Sequence, residues 1–335
     1  MILDTFWFAI NAILPIVMLI TLGFYLKKLG FVDLSLIKTM NQYVFKIALP
    51  LLFFYNIYQT ESLRNIDFSL QLFIIIAAIL VFAIGFFLPL AKLKEGQTAV
   101  VHMSLSRTNF AMIGMTLATL IGDPYTVALV SLTAIFIVPL NNALNIFTLS
   151  SLNDQHGHKR LGVKETLVAI LKNPLQVGVM AAIVLVMLKT FLVDSNGTAI
   201  ILIERDVPFV YTTIRTLSLT ASPIALIALG AQFEFHALKQ AKKAVMIAVA
   251  FRNIIIPAVM VTLTVIMIQY NEQYQYLFPS VIAVFATPVA ISSVVLVDQL
   301  GGDTDAAGQI VVWTTLLSSV TLFVIISVLR ILGYL

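Results

Sequence analysis

Apolar residues run in blocks along nearly the whole chain, separated by short polar connections. An α-helix needs about twenty apolar residues to cross the hydrocarbon core of a bilayer. Ten stretches meet that requirement, at about 6–26, 40–59, 69–90, 97–121, 125–149, 165–190, 208–233, 243–268, 277–299 and 306–333. The longest connections are 150–164 and 191–207, so no extramembrane domain is predicted and any function must lie in the helices. The first run, 6–26, has no basic residues before it and is followed by Lys27 and Lys28. It is predicted to be a retained span and not a signal peptide.

Two spans break the apolar pattern near their middles. In residues 97–123, Arg107, Thr108 and Asn109 fall at mid-span. A cation there costs about 3 kcal/mol even on the gentlest insertion scale. Thr and Asn side chains compete for backbone hydrogen bonds and favour helix ends. In residues 277–303 the interruption is Thr287-Pro288. Each stretch is therefore predicted to be two half-helices, with irregular joints at 106–109 and 286–288. Such joints are tolerated at membrane depth only where they are buried in protein or line a cavity.

The two interrupted stretches also end alike, in Leu120-Ile121-Gly122-Asp123 and Leu300-Gly301-Gly302-Asp303. Ala48-Leu49-Pro50 in the second span answers Ala221-Ser222-Pro223 in the seventh, and Leu14-Pro15 answers Asn173-Pro174. The pattern divides the chain into a first five-helix repeat (1–150), a linker (151–164) and a second repeat (165–335). Five is odd, so the repeats have opposite membrane topology, as in many secondary transporters.

Composition sharpens the class. Of 335 residues 60% are hydrophobic and 11% charged, which excludes a soluble domain. Cysteine is absent, removing disulfides and thiolate metal sites. The net charge of +4 suggests no nucleic acid, because the basic residues sit in short loops. Lys27, Lys28 and Lys38, then Lys92 and Lys94, then Lys159, Arg160 and Lys164, then Lys239, Lys242 and Lys243 mark the odd-numbered loops. The positive-inside rule makes those loops cytoplasmic and places both termini outside the cell membrane.

Asn173-Pro174-Leu175, Ser222-Pro223-Ile224-Ala225-Leu226 with Gly230, Ala286-Thr287-Pro288-Val289-Ala290 and the run from Gly302 to Ala307 carry a family likeness. Over essentially its whole length the chain resembles the auxin efflux carrier family, which includes plant PIN carriers and bacterial malonate and malate permeases. The resemblance implies an all-α fold of ten transmembrane helices in two inverted repeats, similar to bile-acid symporters and sodium/proton antiporters. It further implies a scaffold of spans one, two, six and seven. Spans three to five and eight to ten would form a mobile core, in which spans four and nine cross.

The breaks suggest a chemistry. Thr108 or Asn109 is expected to cap the half-helix after the first break. Thr287 is expected to cap the half from Val289 to Gln299, with Pro288 at its first position. Opposed half-helices would bring two N-termini together, each with free N–H groups and about half a positive charge. Helix N-termini bind anions, and an arginine fork fits a carboxylate. The candidate substrate-binding residues are Arg107, Thr108, Asn109, Thr287, Pro288, Val289, Asn56 and Ser222.

Arg107 has a second reading, as a cation that braces the joint through an ion pair or carbonyls, as a sodium ion does in related folds. Asn109 has one as a cap. Asn56 and Ser222 read equally well as interhelical glue. Asn141 and Asn145 near Pro139, and Ser318 and Ser319, read as packing. Arg252, with Asn253, reads as a snorkelling side chain or a second anion contact, Arg215 as an outer-side snorkel, and His102 as an imidazole near the cytoplasmic end. No Asp or Glu lies at mid-span, which disfavours a sodium/proton antiporter. Enzyme motifs are absent.

The expected function is secondary transport of organic anions, mono- or dicarboxylates such as malate, malonate or auxin-like acids, by alternating access at the crossing. A sodium-coupled organic anion symporter and a non-transporting anion receptor remain alternatives. No cofactor or metal is called for. The expected partners are a small organic anion and the lipid bilayer, with a homodimer left open.

Overall fold

Backbone polar groups in an apolar surrounding must be satisfied within the segment, which favours helix. In the computed structural model the described residues are 2–59, 68–88, 93, 96–152, 174–193, 201–233, 238–300 and 302–335. They are helical almost throughout, with no β-strand among them. The expected linker after residue 152 and the start of the sixth span lie outside the described residues. So do Arg64, Lys92, Lys94, Lys159, Arg160, Lys164, Asn173, Glu234 and Gly301.

The helices are α1 (Ile2–Lys28), α2 (Leu34–Tyr43), α3 (Leu49–Tyr58), α4 (Phe68–Phe87), α5 (Gln97–Ser106), α6 (Met115–Ile121), α7 (Pro124–Leu152) and α8 (Pro174–Phe191). After them come α9 (Ile203–Asp206), α10 (Pro208–Leu219), α11 (Ala221–Ala231), α12 (Leu238–Val249), α13 (Ile256–Ile268), α14 (Phe278–Val281), α15 (Ser292–Gln299) and α16 (Thr304–Ile331). Among the described residues six stretches are long and apolar enough to cross a membrane: Asp4–Lys28, Pro124–Leu152, Pro174–Phe191, Pro208–Ala231, Ala241–Ile268 and Thr304–Ile331. Gln71–Phe87 is apolar and shorter.

Among the described residues four wide π-turns interrupt the helices: Val44–Ala48, Phe110–Gly114, Ala250–Ile255 and Ile282–Ala286. Three of them run just ahead of a proline: Pro50, Pro257 and Pro288. Proline removes one i→i−4 hydrogen bond and crowds the preceding turn. Widening that turn re-satisfies the carbonyls, and such turns gather at functional positions.

Glycines set the closest approaches. A Cβ on Gly230 of α11 would stand 1.8 Å from the Ile20 carbonyl oxygen of α1, and one on Gly23 would stand 2.0 Å from that of Ile227. On α8, a Cβ on Gly178 would fall 2.4 Å from the Pro50 carbonyl oxygen. Small residues let apolar helices meet backbone to backbone, where dispersion is strongest. Helix α3 packs against both α8 and α10, and α12 lies along α16.

Both interrupted stretches break where polarity and proline placed them, with shifted limits. The first is non-helical only at Arg107–Asn109, since Ser106 still ends α5. The second is non-helical from Thr287 through Ile291, longer than expected, and its second half begins at Ser292 and not Val289. The expected caps are not made. Neither Asn109 nor Ile291, the residues preceding the second halves, gives a side-chain cap. Thr287 instead donates back to the Ala283 carbonyl at 2.8 Å, closing the first half of its stretch.

Candidate functional site

The two breaks meet. The Asn109 amide donates to the Pro288 carbonyl oxygen at 2.8 Å, and the Thr108 and Thr287 hydroxyls pair at 2.6 Å. Thr108, Asn109 and Thr287 are all buried. Gly114 permits the approach, since a Cβ there would meet the Ala283 carbonyl oxygen at 2.8 Å.

A cavity of about 450 Å³ opens beside this junction. Residues 107–112 and 290–292 line it from the two breaks, with Lys46, Asn141, Asn142 and the apolar Phe45, Ile137 and Leu175 on the other walls. The N–H groups of Phe110, Ala111 and Met112 find no acceptor among the described residues, and neither do those of Ala290, Ile291 and Ser292. Both second halves thus present orphan donors, the positive ends of their dipoles, to one cavity.

Arg107 is 7% exposed and stands among neutral oxygens. Its Nε donates to Ser293 Oγ at 3.2 Å, Nη1 to Asn142 Oδ1 at 3.0 Å and Nη2 to Ser292 Oγ at 2.9 Å. A guanidinium carries five N–H donors, so two remain. No carboxylate contacts it among the described residues. Asn109, 3% exposed, holds a side-chain Nδ2 that has no acceptor. The cavity therefore combines an uncompensated cation and two helix N-termini, and Asn109 of its wall holds an unpartnered amide donor. In a low-dielectric setting an anion is the ligand class whose charge would complement those groups together.

Of the eight expected site residues, the structure brings Arg107, Thr108 and Asn109 to the cavity. Thr287, Pro288 and Val289 lie behind it, buried and bonded within the junction: Thr287 to Thr108, Pro288 to Asn109, and the Val289 amide to Thr314 Oγ1 at 3.3 Å. Asn56 and Ser222 do not line it. Asn56 is buried with its Nδ2 unpartnered, and Ser222 is half-buried. Asn145 packs as expected, fully buried and bonded to Ser106 Oγ and the Asn141 carbonyl, whereas Asn141 also reaches the cavity wall. His102 is buried, and its Nδ1 pairs with the Gly85 carbonyl oxygen at 2.6 Å between α4 and α5.

Arg252 overturns both readings given for it. It neither snorkels nor lines the cavity. It is 1% exposed within the π-turn Ala250–Ile255. Its Nε donates to the Thr287 carbonyl oxygen at 2.8 Å, Nη2 to that of Val284 at 2.7 Å and Nη1 to that of Leu105 at 3.4 Å. Arg252 thus ties the two interrupted stretches through carbonyls, while Arg107 ties them through Ser292 and Ser293. Lys46, Asn142, Ser292 and Ser293 were missed by sequence reasoning. A lysine six residues into an apolar span, and a Ser pair just after a mid-span proline, were the signals available.

Apolar helices long enough to span a bilayer, two of the stretches broken and joined beside a polar cavity, define a membrane-embedded protein with an internal cavity. The chain belongs to the family of membrane transport proteins that includes the auxin efflux carriers, whose family model matches residues 8–326. It does not match any curated individual protein.

Proposed function

We propose that this chain is a secondary transporter of organic anions, mono- or dicarboxylates, and that Arg107, the Asn109 side-chain amide and the two helix N-termini hold the substrate carboxylate. One observation carries the reading: a buried guanidinium with two unused donors shares a cavity with two helix N-termini, and no carboxylate among the described residues neutralises them. The apolar walls at Phe45, Phe110, Ile137 and Leu175 suit the carbon skeleton of the acid.

The architecture proposed is ten transmembrane spans in two inverted repeats. Spans four (α5 and α6) and nine (α14 and α15) cross at the junction of their breaks. Spans one, two, six and seven act as scaffold, and the rest as a core that carries the site across the cell membrane. The glycine contacts of α1 with α11 and of α8 with Pro50 support the scaffold as one tightly packed unit. With both termini outside, the cavity residues of α7, α8 and the turn at Lys46 fall in the cytoplasmic halves of their spans. The cavity then corresponds to a state loaded from the cytoplasm.

The test is uptake of a panel of carboxylates, malonate and malate among them, into proteoliposomes holding the purified protein. Accumulation above protein-free vesicles, lost on Arg107→Met, is expected. Binding of an anion with no flux at all would make the chain a receptor and overturn the transport reading.

A further inference from the structure

The breaks have a second, opposite side. A helix leaves its last carbonyl oxygens without partners and carries about half a negative charge at that end. Here two such ends are buried together, those of α5 and of the π-turn Ile282–Ala286. Transporters with broken helices use such ends, with unwound backbone carbonyls, to coordinate a coupling cation. In this chain the place is occupied by a side chain.

We infer that Arg252 is a built-in cation for this carbonyl site, taking the position of an exchangeable monovalent ion and making the junction independent of sodium. Three carbonyl oxygens surround the guanidinium, from Leu105 of one stretch and from Val284 and Thr287 of the other. Among the described residues no carboxylate contacts it, so the helix ends themselves supply its compensating negative charge. One rigid fork bonded to both stretches ties them together, as a bound ion would. One further carbonyl is closed by threonine: the Thr287 hydroxyl donates to the Ala283 oxygen, and the Thr108 hydroxyl pairs with that of Thr287. The charges are thus sorted. Arg107 sits at the positive ends and leaves them an anion short, while Arg252 sits at the negative ends and completes them.

Arg252 is a positioning residue. It lies away from the cavity and acts on the substrate only by holding Thr108-Asn109 against Thr287-Pro288. The inference deepens the transporter reading, yet its main test needs no substrate. Thermal melting of the purified protein is compared in sodium chloride, choline chloride and millimolar guanidinium chloride at equal ionic strength. The parent chain should melt alike in all three. Arg252→Ala should melt lower in choline, and sodium or guanidinium should raise it selectively by refilling the vacated carbonyls. A loss of packing alone would not respond to the identity of the cation.

Arg252→Lys, which keeps a point charge within reach of carbonyls, should fold and stay indifferent to sodium, which keeps the question open to measurement if the alanine variant does not fold. Saturable stabilisation of the parent by sodium would overturn the inference, as would an Arg252→Ala variant that melts like the parent or equally in all three salts. If instead no carboxylate moves in proteoliposomes while these melting results hold, it is the transporter reading that fails.

Discussion

Arg107→Met removes the charge while keeping the length of the apolar stem, and the structure says what each state should lose. Two unused N–H donors are available to a bound carboxylate, and a hydrogen bond to a charged partner contributes about 1.5–3 kcal/mol. Losing both amounts to about 3–6 kcal/mol, a weakening of at least roughly a hundredfold, since about 1.4 kcal/mol is tenfold. Arg107→Lys keeps the charge but offers a point contact in place of the fork, so about half that loss is expected, roughly ten- to hundredfold.

The ligand-free protein should respond differently. Arg107 gives up three hydrogen bonds to neutral oxygens of Ser292, Ser293 and Asn142, about 1.5–3 kcal/mol each because the donor is charged. The change also removes a desolvated cation that faces two positive helix ends, whose burial is itself unfavourable. The two effects oppose, and the ligand-free melting temperature should stay close to that of the parent or rise. Calorimetric titration with malonate and a set of monocarboxylates, beside melting of the same samples, measures both. Unchanged affinity together with a clearly lower melting point would refute the reasoning and make Arg107 a structural cation.

Three further outcomes are expected. Asn109→Asp sets a carboxylate against Arg107 in the cavity and should occupy the guanidinium internally, abolishing anion binding in the same titration while the protein still melts cooperatively. Thr108→Val and Thr287→Val each break the hydroxyl pair joining the stretches, at about 1–3 kcal/mol each; the double variant should cost clearly less than the sum, and additive losses would show that the pair does not couple the breaks. Gly230→Val drives a side chain into the Ile20 carbonyl oxygen and should deplete folded protein in detergent extracts, by several kcal/mol through overpacking, whereas Gly308→Ala, with open space around its Cβ, should be neutral or slightly stabilising.

The places where the helices break were legible in the chain itself. Arg107, Thr108, Asn109 and Pro288 each carry a local cost in a mid-membrane helix, and local costs are written in local sequence. The apolar blocks announced helix for the same reason, because a backbone in an apolar surrounding has few other ways to satisfy itself. The likeness of the two breaks also pointed to their meeting, and the backbone bond from Asn109 to Pro288 joins them.

What surrounds each arginine was decided only in three dimensions. Both are buried cations in apolar spans, and their surroundings in sequence do not tell them apart. Arg252 finds its partners at Leu105, Val284 and Thr287, which lie 147, 32 and 35 positions away. Arg107 finds Ser292 and Ser293 from 185 and 186 positions away. Whether a guanidinium meets carbonyl oxygens or helix N-termini depends on which ends of which half-helices surround it. That follows from how the two interrupted stretches pack, and an arginine's own neighbours along the chain carry no record of it.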